Sequence, residues 1–214
     1  MDTSMQKSPR PVTWRARVAD KFTRLIEIEN VLLLSTLSIF WTMWLWSWLS
    51  YGALFLAQRG GRPTEWDNPS LIALGTGSTL GALLMPALSD KVGRRKLIIS
   101  TSALALASTI SSIATNSMHQ PGISLLIFLL SFSCFGLAPI LCTFITHGSA
   151  PEDMVGTATG LTTATGVFTG FVFARPLMSA FGERFGPVAP IKVGLAFLIP
   201  LFLLSFLLKE PSKK

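Results

Sequence analysis

Pro86-Ala87-Leu88-Ser89-Asp90-Lys91-Val92-Gly93-Arg94-Arg95-Lys96 is a densely charged turn between two uncharged apolar runs, residues 71–88 before it and 97–114 after it. Such a turn must sit in water. Its excess of Lys and Arg predicts the cytoplasmic side. The rest of the chain can be oriented from it.

Half of the 214 residues are hydrophobic and only 14% are charged, whereas a soluble domain carries about 25% charged residues. The deficit lies in repeated apolar runs of about 20 residues, the length that crosses roughly 30 Å of hydrocarbon. The expectation is an all-α membrane protein with several spans, with the lipid bilayer as its surroundings. Cys134 and Cys142 lie in one apolar run without metal-type or redox spacing. They read as small buried hydrophobes. The net charge of +7 comes mainly from the flanks of the spans, so no nucleic-acid partner is expected.

Residues 1–30 form a basic cytoplasmic arm holding Lys7, Arg10, Arg15, Arg17, Lys21 and Arg24. A long basic stretch before an apolar run too long for a signal h-region predicts no cleavable signal. Trp14, Val18, Phe22 and Leu25 share one helical face. That pattern fits a helix lying on the membrane surface, or a solvated arm.

Six spans are predicted at about 31–57, 69–89, 97–115, 123–146, 151–180 and 191–208, a bundle over 31–208 followed by a cytoplasmic tail at 209–214. In the first span Trp41, Trp44, Trp48, Tyr51 and Phe55 follow steps of three and four, which puts them on one face. An outer loop holds Arg59, Arg62, Glu65 and Asp67, with Trp66 as an interface anchor. Gly77 and Gly81 give the second span a small-xxx-small face for close helix approach. The fourth span has Gly136 and Pro139 midway, and proline there kinks a helix. Ser149 to Glu152 has capping-box spacing, with Pro151 in the first turn, so the fifth span should start there. That span carries Gly156, Gly160, Gly166 and Gly170 among threonines. A Gly-rich outer turn is expected over 182–190.

Charge supports the topology. With the N-terminus inside, 13 of the 18 Lys/Arg fall on the cytoplasmic side, and Arg59, Arg62, Arg175, Arg184 and Lys192 fall outside. Both termini are then cytoplasmic.

Within the basic turn, Asp90 ends a helix, where the dipole disfavours a carboxylate. It is better placed against another helix's N-terminus, or paired with a cation such as Arg94. Gly93 supplies the tight turn. Arg94, Arg95 and Lys96 can meet anionic lipid heads or acidic side chains. The alternative is a positive-inside loop with no further role.

Asp90-Lys91-Val92-Gly93-Arg94-Arg95-Lys96 resembles the signature loop of the major facilitator superfamily, Gly-x-x-x-Asp-Arg/Lys-x-Gly-Arg-Arg/Lys. Pro86 stands where the family's first glycine is expected. Pro151-Glu152-Asp153-Met154-Val155-Gly156-Thr157-Ala158-Thr159-Gly160-Leu161 resembles the family's entry to the fifth helix of a C-terminal half. Val155 stands where arginine is usual. Glu210-Pro211 after the last span is similar to the end of such transporters. The resemblance covers nearly the whole chain.

That resemblance implies six transmembrane helices forming one half of a major-facilitator-type fold, whose usual complement is twelve around a central cavity. It implies a secondary transporter moving a small organic solute by alternating access, in a bacterial inner (plasma) membrane. A six-helix half then works as a homodimer or with a second half. The first and fourth helices line the cavity, the second and fifth meet the other half, and the third and sixth face lipid. The glycines of the second and fifth spans suit that contact between halves. Asp90 becomes a gate against the helix near Pro151 of the other half. The alternatives are a non-transporting six-helix scaffold or regulatory subunit, or the C-terminal fragment of a split or truncated twelve-helix transporter.

Trp41, Trp44, Trp48 and Tyr51 are candidates for a substrate cavity, or else for packing or lipid contact. Arg175 is the one strong charge inside a predicted span, and such residues are functional candidates. It binds an anionic substrate, pairs with a carboxylate such as Glu183, or snorkels at the outer interface. Thr162 and its neighbours donate hydroxyls to a solute or close their own i−4 carbonyls. His119 and His147 fall in loops. No Asp, Glu or His lies deep in a span, so no proton relay is evident in this half. No P-loop and no paired His/Glu metal spacing occurs. Neither an enzyme nor a cofactor is expected. The solute stays open between an organic anion and an amphipathic drug.

Overall fold

The computed structural model describes residues 28–60, 68–115, 120–144 and 150–209. Several expectations lie outside the described residues: the amphipathic arm with Trp14, Val18, Phe22 and Leu25; Arg62, Glu65, Trp66 and Asp67; His119; His147 and Ser149; and the tail from Glu210.

Among the described residues the regular structure is all helical. α1 spans Glu29–Gly60, α2 Asn68–Val92, α3 Arg94–Ala114 and α4 Gln120–Phe144. A 3-10 turn at Glu152–Met154 leads into α5, Val155–Thr169. A π turn at Gly170–Ala174 joins α5 to α6, Arg175–Phe185, and α7 is Val188–Ser205. Six stretches are long and apolar enough to cross a membrane: Glu29–Phe55, Pro69–Val92, Arg94–Ala114, Pro121–Cys142, Glu152–Phe185 and Val188–Ser205. Pro86, Pro139 and Pro200 stand inside helices, which neighbouring helices make tolerable at membrane depth.

The packing has an internal correspondence. The first span packs on the sixth and the fourth packs on the third; the second packs on the fourth and the fifth on the first. Exchanging spans one to three for four to six leaves that pattern unchanged, and the third-to-sixth contact maps onto itself. This is the pattern of a three-plus-three repeat. Spans one and four are consequently the most enclosed.

Small residues set the closest approaches. A Cβ on Gly77 would lie 2.6 Å from the Phe128 carbonyl oxygen, and one on Gly81 2.3 Å from that of Phe132. Gly166 meets Ser38 and Thr42 on α1, and Gly170 meets Trp46. These four glycines therefore serve contacts inside the chain rather than the contact between halves expected of them. The reason is that the α4 backbone approaches α2 at Gly77 and Gly81, and α1 side chains press on the fifth span at Gly166 and Gly170, which leaves no room for a side chain. Gly156 and Gly160 differ, because nothing among the described residues lies within 4 Å of a Cβ built there.

Hydroxyls inside the bundle mostly close their own helix. Thr42 donates to the Ser38 carbonyl, Ser102 to Ile98, Ser133 to Leu129 and Thr169 to Thr165, at 2.7–2.8 Å. Each satisfies its own oxygen where no water is present.

The fifth span widens where proline requires it. Pro176 has no N–H and its ring crowds the carbonyl four residues back. Immediately before it, the Arg175 N–H bonds to the Gly170 carbonyl, five residues back. The helix then runs on to Phe185. The expected outer turn over 182–190 is correspondingly reduced to Gly186 and Pro187. Gly182 stays helical because its bare face receives the Tyr51 ring, and Gly186 makes the reversal at φ 81°.

Candidate functional site

The basic turn is built by one glycine. Gly93 has φ 100° and ψ 136°, a conformation L side chains rarely adopt. It ends α2 at Val92 and starts α3 at Arg94. The pleat this creates lets Asp90 and Arg94 face each other, with Arg94 Nη2 donating to Asp90 Oδ1 at 2.7 Å. The aspartate side chain is 65% exposed and the arginine 16%. Arg94 thus neutralises a carboxylate placed against its helix dipole.

Arg95 turns the other way. Its Nη2 donates to the Phe206 carbonyl at 2.7 Å, at the C-terminal end of α7, where a cation is favoured. Nearby, Asn30 and Lys209 exchange hydrogen bonds of 3.0 and 3.3 Å, and Lys209 Nζ pairs with Glu29. The start of α1, the start of α3 and the end of α7 are tied together on one side of the bundle. Lys91 and Lys96 are exposed there.

Among the indoles of the first span, two face partners. Trp41 Nε1 donates to the Cys134 carbonyl at 2.9 Å. Trp44 Nε1 donates to Thr109 Oγ1 at 3.2 Å, and its side chain is fully buried. Trp48 stands differently: its Nε1 is shielded and has no partner among the described residues. Its ring is fixed by an edge contact with Phe55, at 5.8 Å and 88°. Trp44 and Trp48 line a cavity of about 130 Å³ between α1, α2 and α4, with Leu74, Ile127, Leu130 and Cys134 opposite them.

The other cavity candidates do not converge on it. Tyr51 donates to the Ser179 carbonyl at 3.3 Å and packs on Gly182. Thr162 shares a 3.1 Å hydrogen bond with Ser35 and joins α5 to α1. Arg175 is exposed on the fifth span. About 20 residues counted from Val155, the depth of the hydrocarbon, end near Ala174, so Arg175 stands at its edge. Glu183 is not its partner: it accepts from Ser179 at 2.8 Å and lies two helical turns further along α6, roughly 12 Å away.

Ser35, Thr109, Ile127 and Leu130 escaped the sequence reading. Each sits in an ordinary apolar or hydroxyl-bearing run, so nothing local marks it. Trp46 lies off the stripe, and the structure packs it on Gly170 and against the Phe171 ring at 5.2 Å.

The geometry therefore has two parts: a charged hinge on one side of the bundle and an indole-walled cavity within it. The sequence model of the Major Facilitator Superfamily matches residues 3–174. No curated protein matches the chain.

Proposed function

Because the chain belongs to the Major Facilitator Superfamily and is a membrane transporter of that type, we propose that it moves a small organic solute by alternating access, as one six-helix half of a pair. The partner is a second copy or another six-helix half. The observation that carries this is uneven enclosure. The apolar windows of the second and fifth spans are only 22% and 28% buried, against 56% for the fourth. Those are the two helices that the family uses between halves.

Lipid contact alone does not account for these faces. Lipid-facing surfaces favour large apolar side chains, whereas helix contacts in membranes favour small ones. Nothing among the described residues lies within 4 Å of a Cβ at Gly75 of α2 or at Gly156 and Gly160 of α5, and Thr79, Thr163 and Ala164 beside them are exposed. Asp90 is the gate residue of this reading. In the closed state its free oxygen meets the start of the partner's fifth span, with Gly93, Arg94, Arg95 and Lys96 shaping the hinge. Trp41, Trp44, Trp48, Tyr51, Thr162 and Arg175 belong to the solute path, Arg175 at its outer mouth. The basic turn and both termini face the cytoplasm under the positive-inside rule.

The test counts chains per nanodisc and follows uptake of radiolabelled benzoate, an organic anion, into liposomes holding the chain alone. Two chains per disc and saturable uptake support a self-paired transporter. Uptake only after a second six-helix half is added identifies that half as the partner. A strict monomer that stays inert with any added half overturns the reading.

A further inference from the structure

We propose that the exposed faces of the second and fifth spans form one self-complementary surface, and that a second copy of this chain fits it by placing its Phe168 on the bare face of Gly75 and its Gly156 against Pro86. This rests on the pairing read above and commits it to a second copy. On α2, Gly75, Thr79, Ala82 and Pro86 follow steps of four, three and four, which puts them on one face. That face lies away from Gly77 and Gly81, which α4 covers. Gly75, Thr79 and Ala82 are exposed and Pro86 is half-buried. On α5, Gly156, Gly160, Ala164 and Phe168 follow steps of four, and all four are exposed. Such rows are the ridges by which helices pack.

The two rows carry their bulk in opposite order. Counted from the side of the basic turn, α2 has Pro86 first and glycine last, while α5 has glycine first and Phe168 last. The orders match in depth. On that side the two spans end at Val92 and Glu152. At 1.5 Å per residue, Pro86 and Gly156 lie roughly 6–9 Å from that end, and Gly75 and Phe168 roughly 24–26 Å. A two-fold axis along the membrane normal sets α2 of each copy on the fifth span of the other and makes both contacts twice. Phe168 is 59% exposed, and an edge contact with Phe173 at 6.0 Å and 71° orients its ring. Among the described residues nothing lies within 4 Å of a Cβ at Gly75 or Gly156, so each has room for a side chain of the second copy.

Charge selects the same arrangement. The basic turn sets Lys91, Arg94, Arg95 and Lys96 against the one carboxylate of Asp90. The fifth span opens on exposed Glu152 and Asp153, and no Lys or Arg occurs between Ala150 and Ala174. Each copy therefore brings one net-positive end and one net-negative end. The two-fold axis lays positive on negative at both contacts, which steers and orients the pair. Lipid tails would cover either row without regard to depth or charge.

The test is single-molecule photobleaching of the full, singly labelled chain in phosphatidylcholine vesicles over a series of lipid dilutions. The parent chain should bleach in two steps, in a fraction that falls with dilution. Gly75→Phe sets ring against ring and should weaken pairing at least about tenfold. Adding Phe168→Ala removes that clash and should bring pairing back to within about threefold of the parent. Gly156→Leu crowds Pro86 of the second copy and should weaken pairing as Gly75→Phe does. Neither Gly75 nor Gly156 meets a neighbour among the described residues, so the thermal midpoint of the monomer in detergent should stay at the parent's value in both variants. A parent chain that stays monomeric at every dilution overturns the proposal, and uptake gained on adding another six-helix half would then leave the transport reading in place. Gly75→Phe and Gly156→Leu chains that pair as the parent does overturn it too, as does a loss in Gly75→Phe that Phe168→Ala fails to recover. Pairing that responds as expected in a chain that carries no solute upholds the surface and removes only its role in transport.

Discussion

Arg95 donates to the main-chain carbonyl of Phe206 at 2.7 Å, which joins the hinge after the second span to the end of the sixth. A charge-assisted bond at a helix C-terminus contributes about 1–2 kcal/mol when partly shielded. Arg95→Ala should lower the thermal midpoint in detergent by about 2–6 °C. Arg95→Lys should recover part of that loss, because a shorter, compact cation reaches the carbonyl less well. Differential scanning fluorimetry on the purified variants reads both.

Gly81 and Gly75 make opposite predictions, although both lie on α2. Gly81→Ala puts a methyl 2.3 Å from the Phe132 carbonyl oxygen, and backbone cannot yield as a side chain can. The expected cost is about 1–3 kcal/mol. Gly75→Ala meets nothing among the described residues and should change the stability of the single chain by less than about 0.5 kcal/mol. Unfolding of the two variants side by side checks the packing of α2 on α4.

Asp90→Asn separates stability from gating. The carboxylate of the pair with Arg94 is largely exposed, so its loss should cost no more than about 0.5 kcal/mol. If the aspartate also holds a partner helix, labelling of Ala87→Cys by an impermeant maleimide should rise severalfold in the neutral variant. Unaltered labelling together with unaltered transport would remove Asp90 from the gate.

Thr79→Cys on α2 and Ala164→Cys on α5 test the pairing surface directly. Both positions are exposed. In a background with Cys134 and Cys142 replaced by alanine, a short bifunctional maleimide should join two chains carrying one cysteine each. A band at twice the monomer mass is expected from the mixed pair and not from Leu125→Cys, on the fourth span. Monomer bands alone would count against contact through these helices.

Much of the architecture was readable from residues 71–114. Span length and hydropathy are local properties, and so is the glycine between Val92 and Arg94. The direction in which each helix faces was not readable. Gly77 and Gly81 turn to α4 while Gly156 and Gly160 turn away from the bundle, yet both pairs have the same spacing. In water, a polar face would betray the outside of a helix. In lipid the outside is as apolar as the inside, and the periodic signal fades. The same holds for the indoles. The stripe of Trp41, Trp44 and Trp48 was visible, but which N–H would lack a partner depends on Thr109 and on the Cys134 carbonyl, both remote in sequence.

The π turn at Gly170–Ala174 has a consequence for the fifth span as a whole. Ala158, Thr162, Gly166, Gly170, Ala174, Met178 and Gly182 are all buried, a strict step of four residues. A uniform α-helix advances 3.6 residues per turn, so each such step overshoots by about 40°, and the row would spiral off its neighbour well before Gly182. The wider turn takes back part of that angle midway. It works as a vernier, which keeps one long edge, small in every residue but Met178, trained on α1 from Ser35 to Tyr51. Deleting one residue from Gly170–Ala174 would leave two sound helices whose edges no longer line up.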